Sequence, residues 1–233
     1  MPLTVENERR TVAIWDLPTR LFHWALALLV GCNLFLISPR GGLATTIHFL
    51  SGYTIAGLLL FRLVWGFVGS PRSRFSDFLL SWPTVRAYAK RLMRLNAPHS
   101  IGHNPLGGWM IVVMLAALLS MVATGLFAAS RRAAGPLASL ISPAAANEIG
   151  QIHKLVSNLM IGLVILHLAG VLGDWLLTRD NLIKSMITGR KSLCTQDAAK
   201  EGRLAPAGRA VIVGLIALAL TAGLVMLTDF ATL

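Results

Sequence analysis

The run Ile152–Leu177, IHKLVSNLMIGLVILHLAGVLGDWLL, decides the fold. It is long enough to cross a bilayer, for which about 17–25 apolar residues suffice as a helix. It carries two histidines, His153 and His167, fourteen residues apart. At about 3.6 residues per turn that spacing is nearly four full turns, so both rings leave one helix face, about 21 Å apart along the axis. One face of one helix thus offers an imidazole near each side of a membrane.

Four further apolar runs accompany it: Leu21–Ile37, Ile47–Val68, Gly107–Ala129 and Ala210–Leu227. The first is the shortest and borrows Trp15–Arg20 at the interface. The composition agrees with them. Of 233 residues, 55% are hydrophobic and 13% charged, against a usual charged fraction of about 25%, and mean hydropathy is +0.67. Disorder is excluded by the apolar content, and a soluble domain by the scarcity of charge. A nucleic-acid-binding protein can be as basic as this net +11 chain, but it does not carry five runs of spanning length. The expectation is an all-α integral membrane bundle with four core transmembrane helices and a fifth at the C-terminus. The first 20 residues are polar and carry both signs, so no cleavable signal peptide is read and the first run stays as an anchor.

The basic residues fix the orientation. Arg9, Arg10 and Arg20 precede the first run. Arg72, Arg74, Arg86, Lys90, Arg91 and Arg94 follow the second, where Pro83–Leu95 reads as a surface helix. Arg179, Lys184, Arg190, Lys191, Lys200, Arg203 and Arg209 follow the fourth. The other two loops, a short turn at Ser38–Thr46 with Pro39 and Gly41-Gly42 and a small-residue stretch at Ser130–Gly150, hold only Arg40, Arg131 and Arg132. The positive-inside rule then puts the N-terminus in the cytoplasm and the C-terminus outside.

With orientation set, histidine depths can be compared. His48 opens the second span on the outer side, level with His153. His23 lies near the cytoplasmic start of the first span, level with His167. Ionisable side chains inside a membrane are costly and tend to be functional. Two facing imidazoles suit the two axial positions of a haem iron, so depth pairs His48 with His153 and His23 with His167. Zinc would normally take four ligands in one place, and proton relays usually include intramembrane carboxylates, of which the spans offer only Asp174. Cys32 and Cys194 build no iron–sulfur set, and no CxxCH occurs for covalent haem attachment.

The segment VAIWDLPTRLFHW at 12–24 resembles the opening of bacterial cytochrome b561-type membrane proteins, a group that includes the cytochrome b subunits of nickel–iron hydrogenases. IHFLSGY around His48, GLLLFRLVWGFVG at 57–69, GHNPLGGWM at 102–110, His153-Lys154, HLAGVL at 167–172 and SMITGRK at 185–191 are similar to it too. The resemblance covers nearly the whole chain, and the opening segment and GHNPLG are its specific parts. It implies four core helices holding two b-type haems non-covalently, with ligands at His23, His48, His153 and His167 in the pairing that depth suggests. Some members have a fifth span and others do not. Residues 1–190 are expected to form the di-haem four-helix domain, and residues 191–233 a cytoplasmic linker and the C-terminal transmembrane helix.

Arg62 lies fourteen residues after His48, which points it along the same face to the cytoplasmic level. It either pairs a haem propionate or snorkels to the headgroups. Lys154 and Arg20 are further propionate candidates, with interfacial anchoring as the simpler account. His103, before Asn104-Pro105, reads as a loop residue at a cap-like helix start, with a quinone-pocket wall as the alternative; His99 reads as a surface residue. Gly52, Gly57, Gly125, Gly162 and Gly170 could admit a porphyrin, but helix packing explains most of them. Trp15, Trp24, Trp65, Trp109 and Trp175 read as interfacial belt residues.

A haem iron with two histidine ligands has no open position and favours one-electron transfer. The expected function is transmembrane electron transfer in a bacterial inner membrane, between a redox partner or oxidant and the quinone pool, ubiquinone or menaquinone. The partner class is a periplasmic hydrogenase or a c-type cytochrome. A stand-alone superoxide:quinone oxidoreductase and a histidine-lined metal transporter are the alternatives.

Overall fold

The computed structural model describes residues 9–36, 42–96, 98–131, 133–194 and 203–230. The expected turn at Pro39 and Gly41 and most of the polar stretch Thr195–Arg203 lie outside the described residues. In chain order the elements are β1 (Arg9–Ala13), α1 (Leu17–Gly31) with a π-helical turn at Cys32–Leu36, α2 (Gly42–Val68), α3 (Phe75–Phe78), α4 (Trp82–Met93), α5 (Pro105–Phe127), a short 3₁₀ turn at Ala138–Leu140, α6 (Pro143–Thr178), α7 (Leu182–Thr188), β2 (Arg190–Cys194) and α8 (Ala207–Phe230).

Four of these helices, α2, α5, α6 and α8, are long and apolar enough to cross a membrane. Only 11–28% of their apolar windows is buried inside the protein, so the remaining apolar surface calls for lipid. The chain is a multi-pass membrane protein. α1 has 15 residues of regular helix and continues through the five residues of its π-helical turn, over the region of the first apolar run.

α6 is one uninterrupted helix of 36 residues and carries both His153 and His167. It begins well before Ile152 because Ser142 caps it, accepting at Oγ from the Ala145 N–H (3.3 Å). Pro143 follows at the first helical position, and Ala144–Ala146 are strong helix formers.

The chain divides into two compact units. The first contains Met1–Leu21, Trp65–Met110 and His167–Ala210. In it β1 and β2 pair antiparallel, with Arg10 opposite Leu193 and Val12 opposite Lys191. Val12, Ile14, Trp15 and Leu193 form a small core against Ile101 and Met186. Gly189 ends α7 in the left-handed region (φ +77°), and its carbonyl accepts from the Ile14 and Trp15 N–H groups. A Cβ there would come 2.8 Å from the Trp15 carbonyl oxygen, so only glycine fits this junction.

Asp16 is the buried start of α1. Its Oδ1 accepts from the Thr19 N–H (2.8 Å), and its Oδ2 accepts from Trp65 Nε1 (3.1 Å) and Ser73 Oγ (3.1 Å). Trp65 is only 1% exposed, and Trp15 donates from Nε1 to Ser185 Oγ. These two tryptophans are therefore interior hydrogen-bond donors, not belt residues; Trp24, Trp109 and Trp175 are exposed as the belt reading expects. α4 matches the expected surface helix: Val85 and Tyr88 turn inward, while Arg86, Lys90, Arg91 and Arg94 are exposed.

The second unit contains Phe22–Val64, Ile111–Leu166 and Val211–Leu233. α1 is tied to α2 by Asn33, whose Nδ2 donates to Ser51 Oγ and to the Leu29 carbonyl, both at 2.8 Å. The second bond satisfies a carbonyl at the π-helical turn, where the ordinary helical ladder is interrupted.

Candidate functional site

His48 enters the second unit near the start of α2, and His153 enters in the first third of α6. Their ring centroids are 6.3 Å apart and the rings cross at 83°. Both line a cavity of about 400 Å³, within the range of small-molecule and cofactor pockets. Its walls are mostly apolar, with Val30, Phe49, Ile55, Leu118, Met121 and Leu224 among them, and Lys154 and Gln151 also line it.

Thr124 sets the orientation of His153. Its hydroxyl donates to the Ser120 carbonyl at 2.6 Å and lies 3.0 Å from His153 Nδ1. A hydroxyl has one proton. With that proton given to Ser120, Thr124 accepts from Nδ1–H, and His153 is left with an unprotonated Nε2. That is the tautomer a metal ligand needs, held by a partner of the kind that commonly supports ligand histidines. Gly125 makes room for the ring: a Cβ there would lie 3.1 Å from His153 Cε1. On the facing side, His48 Nδ1 is buried and has no hydrogen-bond partner among the described residues.

The other candidates are placed as follows. His23 is half-buried in the second unit, edge-on to Trp24 with centroids 5.1 Å apart. His167 is half-buried in the first unit. Arg62 is 3% exposed, which argues against a side chain reaching out to the headgroups. Arg20 donates from Nη1 to the Ile187 carbonyl, so part of its guanidinium serves α7. His103 packs between Trp15 (4.5 Å) and Phe78 (5.0 Å). The cap expected beside it is present: Asn104 Oδ1 accepts from the Gly107 N–H at 2.7 Å, and Asn104 Nδ2 donates to Asp174 at 2.9 Å.

Among the described residues, two titratable groups outside the spans, Tyr88 and Asp180, are perturbed. Burial, with the Asp174 carboxylate and its hydrogen bond adding to it, pushes the Tyr88 hydroxyl up to about 12. Burial alone would raise Asp180; hydrogen bonds and charge from Lys191 Nζ (2.8 Å) and His99 Nδ1 (3.0 Å) outweigh it and hold the carboxyl below its ordinary value. His99 is exposed, as expected, but it is engaged in this cluster.

Sequence reasoning missed Thr124, Asn33, Ser51 and Leu224. Asn33, the one carboxamide in the first apolar run, carried a readable signal. The hydroxyls did not, because serine and threonine in apolar helices usually bond back to their own helix.

The sequence model of the family described as prokaryotic cytochrome b561 matches residues 14–189. The chain belongs to this family. Membership supports electron transfer in a membrane, and a b-type cytochrome implies haem b. Among curated proteins, the chain is similar to a probable Ni/Fe-hydrogenase B-type cytochrome subunit of Rhizobium leguminosarum bv. viciae, at 26% identity over 79% of this chain and 90% of that protein. A protein of the same description from Rhodobacter capsulatus is 23% identical over 80% of this chain and 83% of its own length. No solved structure matches.

The cavity's residues fit the cofactor that the family implies. Two metal–nitrogen bonds of about 2 Å, with about 1.2 Å more from each ring nitrogen to its ring centre, bring two facing imidazoles to about the observed 6.3 Å. The apolar walls and the glycine beside His153 are consistent with a flat apolar group that these two imidazoles would hold. Among the described residues no three His, Cys, Asp or Glu side chains gather to hold a bare metal ion.

Proposed function

We propose that the chain transfers electrons across a bacterial inner membrane through two bis-histidine b-type haems, exchanging them between a redox partner or oxidant and the quinone pool. The observation that carries this is the pair of crossed imidazoles, His48 and His153, 6.3 Å apart on an apolar cavity. His23 and His167 form the second ligand pair in this reading, supported by helix depth and by the fourteen-residue repeat of His153 and His167. Bound haem supplies one-electron exchange without an open iron position. The protein supplies the ligands, their orientation through Thr124, an environment poor in water, and cations. Arg62 would balance a propionate on the cytoplasmic side; Lys154, on the cavity wall, would do so on the outer side; Arg20 is a further candidate.

Five spans, with α1 and its π-helical turn counted as the first, put the N-terminus in the cytoplasm and the C-terminus in the periplasm. Residues 1–190 carry the haems, and 191–233 add a linker and α8. The descriptions of the two relatives suggest a hydrogenase as the partner, and a c-type cytochrome is the other class that fits. Ubiquinone or menaquinone would close the circuit. The test is a reduced-minus-oxidised spectrum of the purified chain with haem quantification. Two non-covalent b-type haems per chain are expected, and a chain without a Soret band would overturn the proposal.

A further inference from the structure

α8 lies beyond the part of the chain that the family model matches, and in sequence terms it is an apolar run without an assigned role. Its packing is specific. Val213, Ala217 and Thr228 are buried and Thr221 and Leu224 half-buried, and their spacing of three and four residues makes one stripe. Leu215, Leu218, Leu220 and Met226, between them, are exposed, as a lipid face would be.

The stripe meets α2. Gly57 leaves a notch for Thr221: a Cβ at residue 57 would come 2.7 Å from Thr221 Oγ1 and 3.6 Å from Thr221 Cβ. Nearer the outer end, Tyr53 Oη and Thr228 Oγ1 are 2.7 Å apart. Thr228 already donates to the Val225 carbonyl, so the tyrosine is the donor. In hydrocarbon such a bond has no water to compete with it. Leu224 lies on the stripe between these two contacts, and both Leu224 and Tyr53 line the cavity that His48 and His153 face.

We propose that α8 is a wall of the cofactor cavity: the Gly57–Thr221 notch and the Tyr53–Thr228 hydrogen bond seat it on α2 so that Leu224 closes the side beside His48. This rests on the haem reading only for what fills the cavity; the seating of α8 on α2 stands apart from it. The consequence is selective. Disturbing the seat should alter the environment of the group held by His48 and His153 and leave the one assigned to His23 and His167 unchanged.

The first test is a cross-link in the full chain in native membranes. With Cys32 and Cys194 replaced by serine, the pair Gly57→Cys and Thr221→Cys should form an intramolecular disulfide under mild oxidation, because 3.6 Å between Cβ positions lies in the range of about 3.5–4.5 Å that disulfides adopt. Gly57→Cys with Leu220→Cys, on the exposed face, should not. Free thiols in the first pair, or a disulfide joining two chains, would overturn the proposal. The second test is potentiometric, on Gly57→Leu and on Thr228→Val. The component that His48→Ala abolishes should shift in midpoint or fall in occupancy, with the other component unmoved. Two unaltered components, or an equal shift in both, would overturn the assignment of α8 to this cavity. A chain that cross-links but holds no haem would sink the haem reading while leaving the seat of α8 intact.

Discussion

The hydroxyl of Thr124 lies 3.0 Å from Nδ1 of His153 while donating its own proton to the Ser120 carbonyl. A half-buried ring is thereby held in one tautomer by a neutral acceptor on the neighbouring helix α5. Such an acceptor raises the donor strength of the opposite ring nitrogen and so favours the oxidised iron. Thr124→Val keeps the shape and removes the acceptor. The midpoint of the component bound by His153 should rise and haem affinity there should fall by about 10–100-fold. Thr124→Ser should restore both. Redox titration with haem-transfer kinetics checks this, and an unmoved midpoint in Thr124→Val would remove Thr124 from the ligand's support.

The proposed pairing of His48 with His153 and of His23 with His167 predicts a grouping of variants. His48→Ala and His153→Ala should abolish the same spectroscopic component, and His23→Ala and His167→Ala the other. Potentiometric titration of the four variants reads this directly. Loss of one shared component in His23→Ala and His153→Ala would contradict the pairing.

Gly125 offers a steric test of the same site. A Cβ there comes 3.1 Å from His153 Cε1, close enough that the ring must give way. Gly125→Val should displace the imidazole and lose the His48–His153 component, while the chain still inserts and retains the other. Gly162, with nothing within 4 Å of an added Cβ, is the control: Gly162→Ala should retain both.

Arg62 tests electrostatics. It is buried, so its charge acts through protein rather than water. Removing a nearby cation disfavours the incoming electron, so Arg62→Ala should lower the midpoint of the component proposed for His23 and His167. A shift on the order of 50 mV is expected, close to the roughly 59 mV that a tenfold change in a one-electron equilibrium represents. Arg62→Lys should recover part of it. Unchanged potentials in both variants would mean that the arginine serves packing alone.

Four of the spans, and one helix carrying both His153 and His167, were legible because both depend on local pattern: apolar length for the helices, and a fourteen-residue spacing along one of them. α4 was legible for the same reason, with basic residues on one side and Val85 and Tyr88 on the other. The β1–β2 pair was not. Arg9–Ala13 and Arg190–Cys194 are short, with two charged residues of five in each, and they meet only because α7 and Gly189 return the chain to Trp15. Trp65 misled because an indole near a span end looks the same in sequence whether its N–H meets a headgroup or the Asp16 carboxylate. Thr124 was invisible because Ser120 and Thr54 also bond back to their own helices, and only the neighbouring helix singles out one hydroxyl.

The cluster of Asp180, Lys191 and His99 gives a pH prediction. Lys191 is buried, and its Nζ donates to Asp180 and to the Ser100 carbonyl, which fastens β2 to the segment before α5. Asp180 is held below its ordinary value of 3.8, so the folded state favours the carboxylate. Its stabilising effect is therefore complete above the unfolded value and is lost as pH falls through the lower folded value. Asp180→Asn keeps an oxygen acceptor but removes the charge opposite the buried Lys191 ammonium, and should cost about 1–3 kcal/mol. The difference in thermal midpoint between wild type and Asp180→Asn should be constant from pH 5 to 8 and should shrink only below about pH 4. A difference that disappears well above pH 4 would overturn the assignment of this stabilising charge to the Asp180 carboxylate.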